Sequence, residues 1–305
     1  MLEALKEKLG IGDNLPDPPY NYDFLLSIDE KEYPKYLKRI FKYVMNQKLN
    51  LKNPKTFNQK IQWLKLYDAT PLKTQLTDKV LVRNWVKEKI GENYLKPILQ
   101  ICDSFDEIDF ESLPNYFIIK TNHGCKWHYS VKNKEKLLST EQLMSLVKKH
   151  FDGWMNQSFF PFAGFEMQYR DIVPKILVEP ILMLNDEKEP IDIEVYCFNG
   201  EPKYTQKIRY AETREVSVYD EKLKLTDLKF MPNYVQINEP VDEIVREAVH
   251  LSKSLAEKFK LVRVDWIVCG GKLYFNEMTF TPFSGFYDFE DKNWDIKLGN
   301  LLKIK

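Results

Sequence analysis

The chain has 305 residues, 44% of them hydrophobic and 14% aromatic, which is enough for two domains or one large two-lobed domain. Lysine plus arginine and aspartate plus glutamate number 45 each, so no net charge attracts a nucleic acid or an anionic membrane. No apolar run approaches the roughly 18 residues of a membrane span, and four scattered cysteines without metal-ligand spacing predict reduced thiols in a cytoplasmic protein.

The first third of the sequence is predicted to be helical. A short amphipathic helix at about residues 2–9 lacks the apolar stretch of a signal peptide, and residues 1–30 are predicted to form an arm or linker. Helical spacing then dominates residues 31–112, which we interpret as a helical N-terminal domain. Thr56 and Gln59 have the spacing of a capping box at one helix start.

Residues 113–178 are predicted to form a small lobe with a phosphate-binding turn. In "NYFIIKTNHGCKWHYSV" an apolar strand ends at Lys120, and a polar turn with Gly124 leads to Lys126 and His128. A lysine at a strand exit, beside the backbone N–H groups of a turn, suits phosphate oxygens. The alternative is a hairpin whose lysine is merely solvated.

Residues 179–305 are predicted to form a C-terminal lobe that begins at a hinge. Glu179 interrupts the apolar strand "KILVEPIL", and Pro180 marks a strand edge or hinge. A single acceptor there, with the free backbone of Ile181 beside it, can bind the amino group of an adenine. We therefore assign Glu179 and Ile181 to nucleotide binding.

The next hairpin carries charges on one face. Asn199–Gly200 predicts a type I′ turn, and in that register Asp192 lies across from Lys207. Asp192 and Glu194 would then share a face with Lys207 and Arg209. We assign the two acids to cofactor binding and the two cations to catalysis, whereas the alternative is a solvated charged face.

The hairpin "RVDWIVCGGKLYFNEMTF" is the strongest candidate site. A three-residue loop at 270–272 places Asp265 across from Glu277 and Arg263 across from Thr279, with an apolar opposite face. A two-residue turn would instead put Glu277 on the face opposite to Asp265. We favour the three-residue loop because the other register mixes charges into both faces.

Two opposed carboxylates predict a metal ion. Side chains that face each other across a ladder have Cβ atoms about 5 Å apart, and like charges at that distance need a cation between them. Mg²⁺ fits, because it takes oxygen ligands and shares them with nucleotide phosphates. We assign Asp265, Glu277 and Thr279 to the metal, and Arg263 to a developing oxyanion or a phosphate. The loop at Ser284 and Gly285 can offer backbone N–H groups. The alternative is a structural network of arginine and carboxylates.

The order of these segments resembles that of the ATP-grasp enzymes. The last hairpin is similar to the metal and substrate motif of D-alanine–D-alanine ligases, with Arg263, Asp265 and Glu277 at matching positions and Thr279 in place of the usual Asn. Segments such as "PKTFNQKIQWLKLYD", "CFNGEPK" and "FNEMTFTPFSGF" resemble ATP-grasp proteins of the teichuronopeptide-biosynthesis type. The resemblance covers about residues 50–305.

This resemblance implies an α+β ATP-grasp fold, in which two lobes with antiparallel-rich sheets clasp ATP after a helical N-terminal region. It implies ATP and Mg²⁺ as cofactors, and an ATP-dependent carboxylate–amine ligase that amidates a uronic acid or related carboxylate in bacterial capsule biosynthesis. The partners would be a small or sugar-linked carboxylate and an amine. Two alternatives stay open: a glycosyltransferase, for which "IDIE" is a weak metal motif, and a nucleotide-binding protein without ligase activity.

Overall fold

The computed structural model of the protein describes residues 21–182 and 190–304. In these ranges the chain forms helices and two β-sheets, which confirms the α+β prediction. The α-helices are α1 (Tyr22–Ser27), α2 (Tyr33–Met45), α3 (Phe57–Tyr67), α4 (Pro71–Thr77), α5 (Val82–Ile90), α6 (Lys134–Ser139), α7 (Glu141–Met155), α8 (Glu243–Ala256) and α9 (Asn293–Leu301). The strands are β1 (Gln100–Cys102), β2 (Phe117–Thr121), β3 (His128–Val131), β4 (Ile176–Pro180), β5 (Ile191–Phe198), β6 (Glu201–Tyr210), β7 (Arg214–Asp220), β8 (Val235–Gln236), β9 (Leu261–Cys269) and β10 (Lys272–Thr279).

The predicted arm is described only at its end. The helix predicted at residues 2–9 lies outside the described residues, whereas α1 begins after Asn21, whose side chain accepts the N–H of Phe24 at 3.0 Å. The hydroxyl of Tyr22 accepts the N–H of Ser158 at 2.7 Å. The end of the arm therefore rests on the segment that follows α7.

The helical region differs from its prediction at one helix cap and at one helix break. Thr56 caps α3 by accepting the N–H of Gln59, as the capping box predicts, but the Gln59 side chain accepts from Lys55 rather than from Thr56. The helical spacing predicted over residues 31–112 does not give one continuous helix in "LTDKVLVRNWVKEKIG", because α4 ends at Thr77 and α5 begins at Val82. The intervening loop carries Lys79 toward the strands.

The smaller sheet has the strand order β1-β4-β2-β3, and its neighbouring strands are antiparallel. On one face Phe117, Ile119 and Val178 pack with Phe151 of α7 in a buried cluster. Strand alternation turns Lys120 to the other face, together with His128 and Glu179. That face is the one free of helix α7.

The larger sheet has the strand order β10-β9-β5-β6-β7-β8, antiparallel except for the parallel pair β7 and β8. One face, with Ile193, Val264 and Trp266, packs on α8 and α5. The other face packs in part on a second apolar cluster, through residues such as Tyr196, Phe198 and Ile208, and carries polar side chains beside it; we call it the site face. Its polar residues on β5, β9 and β10 are Asp192, Glu194, Arg263, Asp265, Glu277 and Thr279.

The turn of the last hairpin is shorter than predicted. Lys272 pairs with Cys269, so the turn has two residues, Gly270 and Gly271, with φ of 60° and 72°. Positive φ at both positions is typical of a type I′ turn and favours glycine. The prediction of a three-residue loop is therefore wrong.

The predicted pairing across this hairpin is nevertheless confirmed. The register shifts between Phe275 and Glu277, where one extra residue forms a β-bulge. A bulge reverses the face of every later residue, so Glu277 again lies across from Asp265, and Thr279 across from Arg263. The bulge therefore produces the facing of Asp265 and Glu277 that was expected from the longer loop.

A bulge in the preceding hairpin has the opposite outcome. The two-residue turn at Asn199–Gly200 forms as predicted, but a register shift beside Lys203 pairs Asp192 with Ile208 and Lys207 with Ile193. The predicted pairing of Asp192 with Lys207 is therefore wrong, and so is the shared face. The bulge shifts the pairing of the later half of β6 by one residue, so the side chains there point to the opposite face.

Lys207 and Arg209 consequently point away from the site face, toward the start of α8. The Lys207 ammonium lies 2.6 Å from the carboxylate of Asp242, the N-cap residue of α8, and 3.2 Å from that of Glu239. Arg209 pairs with Glu239. Their assignment to catalysis is therefore corrected, because both cations are already neutralised on the other side of the sheet.

The helical region and the sheets share their buried cores. Strand β1 lies within the predicted helical range 31–112 yet pairs with β4, and α5 packs on the same cluster as α8. The domain boundaries at residues 112 and 178 stay predictions. Over 21–182 and 190–304, no helix has the length and apolar character needed to cross a membrane.

Candidate active site

Four predicted residues form one connected group on the site face, which we call the hairpin cluster: Arg263, Asp265, Glu277 and Thr279. The Arg263 guanidinium donates to both oxygens of Asp265, with N–O distances of 2.7 and 2.6 Å. The Thr279 hydroxyl lies 3.1 Å from Glu277 Oε1 and 3.4 Å from Asp265 Oδ2. Arg263 Nη1 also lies 3.5 Å from Glu194 Oε2 on β5.

The charges of the hairpin cluster are held by their neighbours. Burial opposes the charge of Arg263, but Asp265 and Glu194 raise its pKa well above the usual range, so the guanidinium stays protonated. Burial likewise acts to raise the pKa of Glu277, yet Lys79, Arg263 and other donors lower it below its ordinary value. Glu277 is therefore an ionised carboxylate at neutral pH.

The oxygen donors of the hairpin cluster fit a hard cation only in part. Among the described residues, no group of three or more His, Cys, Asp or Glu side chains converges to hold a metal ion. Asp265 and Glu277 supply two carboxylates and Thr279 a hydroxyl. Arg263 uses two of the lone-pair directions of Asp265 and leaves two more. Such a set suits Mg²⁺, which keeps water and phosphate oxygens among its ligands.

Lys120 and Glu179 form a buried ion pair on the smaller sheet. Lys120 Nζ lies 2.7 Å from Glu179 Oε2, and Lys96 Nζ lies 3.3 Å from the same oxygen. Burial and the charge of Lys96 lower the pKa of Lys120 to about 8, although Glu179 and Glu277 act against this shift. Lys96 also donates to Asn276 Oδ1 at 2.9 Å, so the pair is joined to the bulge of the last hairpin.

The predicted phosphate turn is packed rather than open. Lys126 is exposed, with φ of 62°, and His128 is exposed on β3. Trp127 is buried, stacks on Trp154 with ring centroids 6.2 Å apart, and contacts Phe159 edge-on. The aromatic cluster around Trp127 therefore fixes the middle of the turn.

Gly124→Ala is expected to destabilise the protein by about 1–3 kcal/mol, the usual cost of overpacking a buried site. A Cβ at Gly124 would lie 2.2 Å from Cε3 of Trp127, whose ring is held by its aromatic neighbours. Chemical denaturation measures the change. Gly153→Ala in α7 is the matched control, because a Cβ there meets no atom within 4 Å. Equal stability of the two variants would contradict this packing argument.

Lys79 is a functional candidate that the sequence analysis missed. Its ammonium donates to Gly124 O in the phosphate turn at 2.6 Å. It is also the cation with the largest effect on the pKa of Glu277. The sequence hid this residue inside a predicted helix, and only Asp78, which accepts the N–H of Val80 and of Leu81, signals the turn.

Other predicted nucleotide residues lie farther along the sheets. Ile181 is half-buried just after β4. Asp192 accepts a hydrogen bond from the Tyr210 hydroxyl, and burial raises the pKa of Asp192 to about 6. Glu194 accepts from the amide of Gln206, so it stays beside Arg263.

The loop at Ser284 and Gly285 has a strained backbone. Phe283 and Ser284 have φ of 51° and 52°, and Gly285 has φ of 64°. Non-glycine residues in this region cost about 1–3 kcal/mol each and persist where the surroundings hold them. Gln62 of α3 supplies that hold, because its amide donates to Ser284 O and Gly285 O, each at 2.8 Å.

A cavity of about 220 Å³ lies between the phosphate turn and the site face. Six predicted residues line it: Lys126, Glu194, Arg263, Glu277, Thr279 and Ser284. Lys120, His128, Glu179, Ile181, Asp192, Gly285 and Asp265 are not among its lining residues. The hairpin cluster therefore stands at the border between this cavity and the Lys120 region.

The cavity wall also includes residues that no sequence motif singled out. They are Cys125, Phe159, Glu166, Tyr169, Ile208, Tyr210, Arg214, Tyr234, Thr281 and Phe283. Arg214 donates to the Tyr234 hydroxyl at 2.7 Å, and its guanidinium carbon lies 5.3 Å from the ring centroid of Tyr210. The signal for Glu166 was a single acid inside the aromatic segment "SFFPFAGFEMQY".

The sequence matches the model of the TupA-like ATP-grasp family over residues 59–303. A search of the curated proteins found no match. The family match covers the helical region from α3 onward, both sheets and every residue that lines the cavity.

Several solved ligases are similar to the chain. One is a D-alanine–D-alanine ligase from Bacillus anthracis complexed with ATP (15% identity, 68% of this chain and 54% of that chain, TM-score 0.37). Another is the D-alanine–D-alanine ligase from Helicobacter pylori (13% identity, 81% and 69%, TM-score 0.43). A third is the ATP-grasp ligase PsnB complexed with a minimal precursor (14% identity, 76% and 62%, TM-score 0.41). The chain thus spans about half to two thirds of the length of these proteins.

Proposed function

Because the chain belongs to the TupA-like ATP-grasp family, we propose that it is an ATP-dependent carboxylate–amine ligase that forms an amide through an acyl phosphate. The observation that carries the proposal is the hairpin cluster at the border of a cavity of about 220 Å³. Arg263 and Glu277 line the cavity from the larger sheet, and Lys126 lines it from the phosphate turn. A phosphoryl group and a carboxylate can meet between them.

ATP is assigned to the space between the two sheets. Lys120 and Lys79 are the cations proposed for its phosphates, because Lys120 lies at the end of the strand that leads into the phosphate turn and Lys79 contacts Gly124 O in that turn. Lys126 and His128 flank the same turn. Glu179 and the backbone of Ile181 are proposed for the adenine, and Asp192 and Glu194 for the rest of the nucleotide. Lys207 and Arg209 are not part of the proposed site.

Asp265, Glu277 and Thr279 are the residues that would hold Mg²⁺. When bound, the ion neutralises phosphate charge during phosphoryl transfer. Two carboxylates beside several lysines support this assignment. The lysines can contact phosphate oxygens directly, whereas the carboxylates repel those oxygens unless a cation lies between them.

The reaction has two balanced steps. The carboxylate oxygen attacks the γ-phosphorus of ATP, the bond to the β-phosphate oxygen breaks, and an acyl phosphate and ADP result. The ammonium of the second substrate first loses one proton to water, the neutral amine nitrogen attacks the acyl carbon, the C–O bond to phosphate breaks, and the amide and phosphate result with loss of a second proton to water. Arg263 is proposed to stabilise the oxyanion of the second step, because its guanidinium stays charged and lines the cavity.

The carboxylate is proposed to be a uronic acid or a related sugar-linked acid of bacterial capsule biosynthesis. One end of the cavity supports a sugar, since the rings of Tyr210 and Tyr234 both lie close to the Arg214 guanidinium, with centroids 5.3 and 5.5 Å from its carbon. Aromatic rings pack on the apolar faces of sugars, and arginine binds their hydroxyl and carboxylate oxygens.

The test is ADP release that depends on both substrates. Purified protein with ATP and Mg²⁺ is incubated with a panel of uronic acids and small amines, each alone and in pairs. We expect ADP and an amide only with a pair. Transfer of a sugar from a sugar nucleotide, without release of ADP, would favour the glycosyltransferase. ATP binding without turnover would favour a nucleotide-binding protein.

Lys120→Ala is expected to raise the dissociation constant for ATP by about 10- to 100-fold, because a charge-assisted hydrogen bond contributes about 1.5–3 kcal/mol. The wild-type affinity should also fall as pH rises above about 8, the pKa of Lys120, because only the protonated ammonium binds phosphate. Calorimetric titration with ATP from pH 7 to 9.5 measures both effects. Lys120→Arg, which stays charged, is the control and should lose this pH dependence. An unchanged affinity in Lys120→Ala would assign Lys120 to the ion pair with Glu179 alone.

A further inference from the structure

Glu166 is a buried acid in the wall of the cavity that the proposed mechanism does not use. The residue is 4% exposed, yet it lines the cavity together with Arg263 and Glu277. Its carboxylate accepts hydrogen bonds from the hydroxyls of Thr281 and Ser284. Gln168 donates to Thr281 Oγ1 at 2.7 Å, which directs the hydroxyl proton of Thr281 toward Glu166.

The backbone before Glu166 is held in an unfavourable conformation. Gly164 has φ of 85° and Phe165, a non-glycine residue, has φ of 59°. The ring of Phe165 stacks on Tyr33 of α2 with centroids 4.1 Å apart, and a Cβ at Gly164 would lie 2.8 Å from Leu37 Cδ1. Packing against α2 therefore maintains a turn that directs Glu166 into the cavity.

Helix α3 supports both walls around Glu166. Lys65 donates to Ala163 O at 2.6 Å, just before Glu166, while Gln62 holds the opposite loop through Ser284 O. Lys65 also places its ammonium 4.6 Å from the ring centroid of Phe286. Helices α2 and α3, together with the loop at Ser284, therefore fix the position of the buried carboxylate.

The charge of Glu166 is incompletely balanced. Lys65 acts on Glu166 through space, but no ion pair joins Glu166 to a cationic side chain within residues 21–182 and 190–304. Burial raises the pKa of Glu166. Lys65 and the hydroxyl donors act to lower it, but their effect is smaller than that of burial. A buried carboxylate of this kind gains most from a cation that enters the cavity.

The position of Glu166 relates it to the acyl-transfer step. Glu166, Glu277 and Arg263 line the same cavity, together with Tyr169. Phe159 and Tyr169 add aromatic surface beside it, which favours cations and apolar carbon. Lys120 and Glu179, assigned to the nucleotide, lie outside this wall.

We propose that Glu166 binds the ammonium group of the amine substrate and positions its nitrogen, which attacks after the ammonium has lost one proton to water. The proposal rests on the ligase function and adds that the second substrate is a small primary amine that enters as a cation. Thr281 and Ser284 orient the carboxylate, and the aromatic wall limits the size of the amine. Glu166 is thus a specificity-determining residue for the amine, and it is not required for formation of the acyl phosphate.

The test separates the two steps. Wild-type protein with ATP, Mg²⁺ and the best uronic acid of the panel is supplied with hydroxylamine, which is uncharged at neutral pH and traps an acyl phosphate as a hydroxamate. The same protein is then assayed with methylamine, ethanolamine and glycine amide, and KM and kcat are measured for the best amine. Glu166→Gln keeps the shape and removes the charge, while Glu166→Asp keeps the charge. Glu201→Gln, an exposed acid paired with Lys253, is the matched control.

We expect Glu166→Gln to raise the KM for the amine by about 10- to 100-fold with a smaller change in kcat, as loss of a charged hydrogen bond predicts. Hydroxamate formation should stay near the wild-type rate, and Glu166→Asp should recover part of the amine affinity. An unchanged KM in Glu166→Gln, with normal hydroxamate formation, overturns the amine site and leaves the ligase function intact. No hydroxamate from wild-type protein overturns the ligase function itself.

If the Glu166→Gln variant fails to fold, a measurement on the wild-type protein still tests the proposal. Choline, a cation that cannot form an amide, and its neutral analogue 3,3-dimethyl-1-butanol are each added to the hydroxamate assay. We expect the cationic compound to suppress hydroxamate formation, by competing for the same space, and the neutral one to have no effect. Equal behaviour of the two compounds would overturn the proposal.

Discussion

Glu277→Gln is expected to reduce ATP-dependent turnover by about 100-fold or more, since even indirect partners of a metal ion contribute about 10- to 100-fold. The substitution keeps the size of the side chain and its hydrogen bond with Thr279 but removes the charge shared with Asp265. Because Glu277 is only half-buried, the fold should tolerate the change. Steady-state ADP release, with circular dichroism as a check on folding, measures the result.

The Mg²⁺ dependence makes this experiment specific. Glu277→Gln should need a higher Mg²⁺ concentration for its residual turnover, because one of two anionic ligands is gone. Glu290→Gln, an exposed acid paired with Lys229, is the matched control and should resemble wild type in both measurements. A folded Glu277→Gln variant with near-normal turnover would exclude the metal assignment.

Arg263→Ala is expected to lower the free energy of unfolding by about 3–5 kcal/mol and to abolish turnover. The loss of stability follows because Asp265, 6% exposed, would keep a buried charge without its bidentate partner. The loss of turnover follows from the oxyanion role proposed for Arg263. Denaturant unfolding and ADP release are measured on the same preparation.

A double variant separates the two effects. Arg263→Met with Asp265→Leu replaces the buried pair by apolar side chains, and such replacements are often neutral or stabilising. We expect most of the lost stability to return while turnover stays absent. If Arg263→Ala unfolds at the same denaturant concentration as wild type, the pair is not the buried network that the hydrogen bonds indicate.

The hairpin cluster illustrates what local patterns can predict. Strand period placed Arg263 and Asp265 on one face, and the choice of a three-residue loop placed Glu277 and Thr279 across from them. The turn itself was predicted wrongly, because the sequence does not mark the bulge that precedes Glu277. Two errors of one residue, in turn length and in ladder register, cancelled each other.

In the preceding hairpin a single register shift was not offset by a second error, so the predicted pairing of Asp192 with Lys207 was wrong. A bulge beside Lys203 moved Lys207 and Arg209 to the face of α8, where Glu239 and Asp242 neutralise them. Those acids lie 30 or more residues along the chain, so no local pattern links them to β6. The same distance effect hid Lys79, which reaches Gly124 across 45 residues.

The sequence by itself determined the α+β class, the order of the motifs, the family and the residues of the hairpin cluster, because these depend on short-range periodicity and on the chemistry of each side chain. Only the tertiary structure decided which charged residues meet. It brought Glu166 to the cavity through α2 and α3, and it turned Lys207 away. The physical reason is that a bulge or a strained turn changes the direction of a side chain at small energetic cost, while burial and charge pairing over long sequence separations select which direction persists.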